Sequence, residues 1–300
     1  MTTTDSHNAD MRVAVLGTGI MGSAMARRLL AAGLSTTVWD RSAQSTEPLA
    51  DAGAMVAGSA SEAAAGARVV ITMMPDADAV QSVVFDGGVA GAFDDGAIWT
   101  QMGTIGVAPT ARFASRLGEL RPGVLFVDAP VSGSKGPAEN GQLLILASGP
   151  DAAQPVVAPA FDAIGRKTVW LGPAGQGSRM KLAVNAYMSV LIEGVAEALE
   201  LASEFGIEPG KLAEAIEGGP LDAPIADAKL HKMERGDYAP EFPLQWAVKD
   251  VDLAIAETGS SLPLLTALSR QWNAAVDAGH GREDVSAARL ALRRQPQAGT

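Results

Sequence analysis

Residues 12–17 (RVAVLG) are a short apolar run. They lead directly into Gly17-Thr18-Gly19-Ile20-Met21-Gly22, and residues 21–32 then carry apolar side chains at helical spacing. The spacing G-x-G-x-x-G between a strand and a helix leaves few folds open. The first glycine permits a tight turn, the second lets backbone approach a pyrophosphate, and the third packs the helix closely on the strand. The helix start also offers N–H groups that no earlier turn can accept. We therefore expect a dinucleotide site with Gly17, Thr18, Gly19, Ile20, Met21 and Gly22 as cofactor-binding residues, and Gly33 closing the helix.

Further apolar runs at 35–39, 69–74, 97–101 and 125–128 alternate with amphipathic stretches. That alternation predicts an α/β fold with a parallel sheet covered on both faces, a Rossmann-type domain. Runs at 143–147 and 168–171 are expected to extend the same strand set. From about Gly177 the pattern is helical: one long helix over 178–205 ended by Gly206, then helices over 209–217, 222–234, 243–259, 263–278 and 286–292. The expected organisation is a tail at 1–10, a dinucleotide-binding domain at 11–175, an all-α substrate and oligomerisation domain at 176–295 joined through the long helix, and a tail at 296–300. Cofactor and substrate are expected in the cleft between the two domains.

Asp40 ends the second run, 18 residues past Gly22. A carboxylate there accepts from ribose hydroxyls and repels a 2′-phosphate, which favours NAD. Arg41 and Ser42 follow, and they suit a 2′-phosphate. The cofactor is thus NAD or NADP, with the choice open.

Composition narrows the chemistry. With 23 Lys and Arg against 34 Asp and Glu, the net charge is −11, which argues against a nucleic-acid partner. There is no cysteine, so thiolate chemistry and disulfides are excluded. The three histidines, His7, His231 and His280, are too scattered for a metal site, and none is expected. No basic–apolar leader and no apolar run of about 20 residues is visible, so a cytoplasmic protein without a membrane partner is expected.

A nicotinamide enzyme needs a proton donor near the substrate oxygen. Tyr187 and Tyr238 are not followed by lysine at the fourth position, so the tyrosine–lysine pair of short-chain dehydrogenases is missing. Lysine is the remaining candidate. Lys181 and Asn185, at i and i+4 in GQGSRMKLAVN, share one face of an otherwise apolar helix.

Four segments in order carry a resemblance: LGTGIMGSAMARRL, DAPVSGS at Asp128–Ser134, GQGSRMKLAVN, and Lys249-Asp250. Over about residues 11–293 the chain resembles the β-hydroxyacid dehydrogenases, and among them the glyoxylate/succinic semialdehyde reductases through SGSKGPAENGQL and FPLQWAVKD. The resemblance implies Lys181 as general acid in reduction and base in oxidation, with Asn185 orienting it and holding substrate. It implies Ser132 and Gly133 on the substrate carboxylate, Thr104 near substrate and nicotinamide, and Phe242 and Asp250 shaping the substrate end. Met74, Pro75 and Lys249 would line the cofactor. Gly136 departs from the second lysine common in those reductases, and Asp40 from the asparagine of NADPH-using members. The implied substrate is a small carboxylate-bearing aldehyde or hydroxyacid, and the implied assembly a homodimer or homotetramer. Three alternatives stand beside this reading: an NAD-dependent 3-hydroxyisobutyrate dehydrogenase, an imine reductase, and a non-catalytic dinucleotide-binding module.

Overall fold

Val13, Ala14, Val15 and Leu16 are fully buried, and their alternation divides them between two cores. Val13 and Val15 point into one core with Ile71 and Met25; Ala14 and Leu16 point into the other with Val70 and Trp99. A strand apolar on both faces is stable only where both faces are covered. In the computed structural model, which describes residues 11–292, this strand is the centre of a parallel sheet. The tails expected at 1–10 and 296–300, with His7, lie outside the described residues.

Strands β1 (Arg12–Leu16), β2 (Ser35–Trp39), β3 (Met55–Val56), β4 (Val69–Thr72), β5 (Ile98–Gln101) and β6 (Leu125–Asp128) lie in the order β3-β2-β1-β4-β5-β6, and every pairing is parallel. The strand order reverses between β1 and β4. A crevice at the carboxyl ends of those two strands is where such sheets bind ligands. Helix α1 (Ile20–Ala31) crosses from β1 to β2, and Gly33 ends it at φ 78° as expected. Helix α2 (Val107–Leu120) connects β5 to β6.

The runs at 143–147 and 168–171 do not extend this sheet. They contribute β8 (Leu143–Ala147) and β9 (Gly165–Trp170) to a separate three-stranded sheet with β7 (Val131–Ser132), in the order β7-β8-β9, with α3 (Gln154–Ile164) between β8 and β9. Pro130, which lacks an N–H, follows the last backbone bond of the large sheet, Ala129 N–H to Gln101 O at 2.8 Å. β7 then pairs antiparallel with β8.

The chain divides into two compact units, one ending at Lys181 and one beginning at Leu182. Both fall within helix α4 (Gln176–Glu204). The second unit is helical: α5 (Pro224–Arg235), α6 (Leu244–Ala256), α7 (Pro263–Ala275), a short helix at Lys211–Ile216 and a 3₁₀ segment at Val285–Ala291. Its core gathers Ile192, Ala196 and Leu199 of α4 around Leu230, Val251 and Trp272. Helix α4 is long and apolar enough to cross a membrane by length and composition, but those residues belong to this core. Gly206, at φ 71°, ends it.

Candidate active site

Gly17 leaves β1 at φ 97°, a conformation that glycine adopts without strain. A Cβ on Gly22 would overlap the Gly17 carbonyl oxygen, so the first and third glycines need each other. Gly19 is the N-cap of α1, its side is open, and no side chain caps the helix. Ile20, Met21 and Gly22 form the first turn, so their N–H groups are presented to an incoming anion.

Asp40 lies at the end of β2 and faces this turn. Its Oδ2 accepts from Thr18 N–H at 2.7 Å and its Oδ1 from Ser42 N–H at 2.9 Å. The Thr18 hydroxyl meets the Ser45 hydroxyl at 2.8 Å, and Ser45 donates to the Ser42 carbonyl at 2.8 Å. Arg41 and Ser42 are exposed beside this carboxylate. The turn and Asp40 thus make one unit that suits the ribose and pyrophosphate of a dinucleotide. Ser45 was not singled out in the sequence; its signal is only its closeness to Asp40.

At the same end of the sheet Met74 is buried and Pro75 exposed after β4. Thr104 is half-buried after β5, in a loop pinned from below. The Gln101 side chain accepts from Gly103 N–H at 3.1 Å and donates to Gly103 O at 2.6 Å. Thr72 donates to Gln101 Oε1 at 3.2 Å, and the Trp99 indole donates to Thr72 Oγ1 at 2.9 Å. A Cβ on Gly103 would overlap the Met74 carbonyl oxygen. The two loops therefore run in backbone contact.

Ser132 is half-buried in β7, and Gly133 follows it, exposed, at φ 135°. Lys181 and Asn185 are both buried on α4, one turn apart on one face. Asn185 donates from Nδ2 to Asp250 Oδ2 at 2.6 Å, while its Oδ1 is buried without a hydrogen-bond partner. Lys249 Nζ lies 3.0 Å from Asp250 Oδ1. The structure therefore joins Asn185, Asp250 and Lys249, three residues that the sequence analysis singled out from two motifs 64 positions apart.

Phe242 is placed by a second cluster that the sequence analysis missed. Lys229, almost fully buried on α5, lies 3.0 Å from both Asp284 and Glu241. Asp284 also accepts from the N–H groups of Glu241 and Phe242 at 3.1 and 3.2 Å. Burial pushes the Asp284 carboxyl up, but the Lys229 charge, its hydrogen bond and the two N–H donors outweigh that and hold it below its ordinary value. The positions are 55 residues apart, beyond any local pattern. Among the described residues no group of three or more His, Cys, Asp or Glu side chains could hold a metal ion.

Residues 12–172 match the family model described as the NAD binding domain of 6-phosphogluconate dehydrogenase. Residues 175–292 match the one described as NAD-binding of NADP-dependent 3-hydroxyisobutyrate dehydrogenase. Glyoxylate/succinic semialdehyde reductase 1 of Arabidopsis thaliana is 37% identical over 281 residues, spanning 92% of this chain and 96% of that protein. L-threonate dehydrogenase of Cupriavidus necator is 31% identical over 280 residues, spanning 92% and 94%. The crystal structure of 3-hydroxyisobutyrate dehydrogenase from Salmonella typhimurium is similar at a TM-score of 0.87 and 29% identity, covering 93% of this chain and 99% of that one.

Proposed function

Because the chain belongs to the β-hydroxyacid dehydrogenase family and is an NAD(P)-dependent oxidoreductase, we propose that it reduces a small aldehyde acid of the glyoxylate/succinic semialdehyde class to the hydroxyacid, or runs the reverse oxidation. The observation that carries this reading is the buried Lys181, one turn from an Asn185 whose own orientation is fixed by Asp250. Burying a lysine is unfavourable unless its charge is matched, and lysines without a task are mostly exposed.

The bound nicotinamide cofactor supplies or accepts the hydride. Every other task falls to the chain. The α1 N-terminus and the glycine turn take the pyrophosphate, and Asp40 takes the adenosine ribose. Ser132 and Gly133 hold the substrate carboxylate through a hydroxyl and a backbone N–H. Lys181 gives its proton to the carbonyl oxygen as that oxygen gains charge, and recovers it from the hydroxyl in the reverse direction. Asn185 Oδ1, buried without a hydrogen-bond partner, accepts from the substrate hydroxyl. Thr104, Phe242 and Asp250 bound the substrate, and Met74, Pro75 and Lys249 the cofactor.

A second reading, NAD-dependent oxidation of 3-hydroxyisobutyrate, is favoured by Asp40, whose carboxylate repels a 2′-phosphate. Turnover of glyoxylate, succinic semialdehyde and 3-hydroxyisobutyrate with each of NADH/NAD and NADPH/NADP separates the two. Fastest turnover on the aldehyde acids is expected; oxidation of 3-hydroxyisobutyrate alone would favour the second reading. A homodimer or homotetramer is supported by Tyr187 and Leu201 on α4 and Phe205 just past its end, which are 68%, 52% and 70% exposed. Light scattering that gives a monomer at micromolar concentration would contradict it. A cytoplasmic location belongs to the same reading.

A further inference from the structure

We propose that Asp128 is a positioning residue for this reaction: its buried carboxylate fixes the first turn of α4, and so the depth of Lys181, relative to the 131–133 segment that takes the substrate carboxylate. The proposal rests on the function proposed above.

Asp128 ends β6, and its side chain is fully buried. Its Oδ2 accepts from Ser178 N–H at 2.8 Å and from the Ser148 hydroxyl at 3.2 Å, and its Oδ1 accepts from the Ser178 hydroxyl at 2.7 Å. Ser148 in turn accepts from Gly177 N–H at 2.9 Å, while the backbones of Asp128 and Ser148 exchange bonds at 2.9 and 2.8 Å. The Ser178 hydroxyl also lies 3.1 Å from that of Thr110. A Cβ on Gly177 would overlap the Leu146 carbonyl oxygen and stand 2.8 Å from that of Asp128. The helix start therefore meets the sheet edge backbone to backbone.

Two of the N–H groups left open at the start of α4 are thus satisfied by side chains from another part of the chain. A cap within 173–176 would fix the helix only to its own loop. Asp128, 50 residues earlier, fixes it to the sheet. Lys181 lies three residues beyond Ser178, about 4.5 Å along the axis, and side chains lean back toward the helix start. In the other direction Asp128 is followed by Ala129 and Pro130 and then by β7, which carries Ser132. One carboxylate thus stands between the proton donor and the segment assigned to the substrate carboxylate. A shift of about 1 Å between such groups lowers a rate by about 100-fold.

The test is Asp128→Asn, which keeps the volume and removes the charge. Expected are a kcat lower by between about 10- and 100-fold with KM and the cofactor dissociation constant within about threefold. The alkaline limb of the kcat profile is also expected to move down, since the carboxylate held at the start of the helix that carries the ammonium has lost its negative charge. A lower melting temperature with kcat and alkaline limb unchanged would overturn the proposal. Should the variant fail to fold, Ser178→Ala serves: it removes one donor and keeps the charge, so kcat should fall several-fold at unchanged KM, and an unchanged kcat overturns the proposal. If the unaltered protein turns over no small aldehyde acid or hydroxyacid, the proposed function fails by itself. The pH dependence of Lys181 acetylation by acetic anhydride, read by mass spectrometry without cofactor, then decides. A midpoint changed in Ser178→Ala, which keeps every charge, supports the positioning, and identical midpoints in Ser178→Ala and the unaltered protein overturn it.

Discussion

Glu193 sits two turns beyond Asn185 on the same face of α4, and only 7% of it is exposed. One carboxylate oxygen accepts from the Trp272 indole at 2.6 Å; the other is buried without a partner. Burial pushes its carboxyl up to about 7 from an ordinary 4.5; the Trp272 hydrogen bond opposes this, and the charge of Glu197 adds to it. Because the folded value lies above the ordinary one, the folded protein binds this proton more tightly than the unfolded chain. The contribution to stability is complete below about pH 4.5 and is lost as pH rises through about 7. The gap between those values corresponds to about 3 kcal/mol. Glu193→Gln keeps an acceptor for Trp272 and cannot ionise. The variant should melt several degrees higher than the unaltered protein at about pH 8 and close to it at about pH 5. The assay is thermal unfolding followed by tryptophan fluorescence across that range. Parallel curves for the two proteins would refute the assignment, because they would place the pH dependence in other groups.

Lys229→Met removes the cation that lies against Asp284 and Glu241, leaving a fully buried carboxylate with backbone and hydroxyl donors alone. A loss of about 3–5 kcal/mol in chemical unfolding is expected, and a loss below about 1 kcal/mol would show the cluster to be slack. Gly22→Ala drives a methyl into the Gly17 carbonyl oxygen, so cofactor affinity by calorimetry should fall by about tenfold or more. Asp40→Ser removes the carboxylate that repels a 2′-phosphate, so the ratio of kcat/KM for NADPH over NADH should rise by about tenfold or more; an unmoved ratio would assign the choice to other residues.

Local patterns were enough for features whose cause is local. The strand over 12–17, the glycine turn and the end of α1 at Gly33 all follow from residues adjacent in the chain. The 143–147 and 168–171 runs were legible as strands, but not their partners, because pairing depends on where Pro130 ends the larger ladder. β3 is two exposed residues, Met55 and Val56, with no apolar run to mark it. The segment expected as a helix over 286–292 is a 3₁₀ stretch, Val285–Ala291, capped by the Asp284 side chain on Ser286 N–H. The pairing of Lys181 and Asn185 on one face could be read from their spacing. Continuing that spacing to Ser189 and Glu193 would have disclosed the whole buried polar stripe, which the sequence analysis left at its first two members. Asp128–Ser178 and Lys229–Asp284 join positions about 50 apart, and no periodicity encodes them.

The most direct measurement is turnover of Lys181→Ala, alongside cofactor binding, on whichever small aldehyde acid the unaltered protein reduces fastest. A loss in kcat of about 100- to 10,000-fold at an unchanged cofactor dissociation constant is predicted. Turnover within about threefold of the unaltered protein would contradict the assignment of the proton to Lys181.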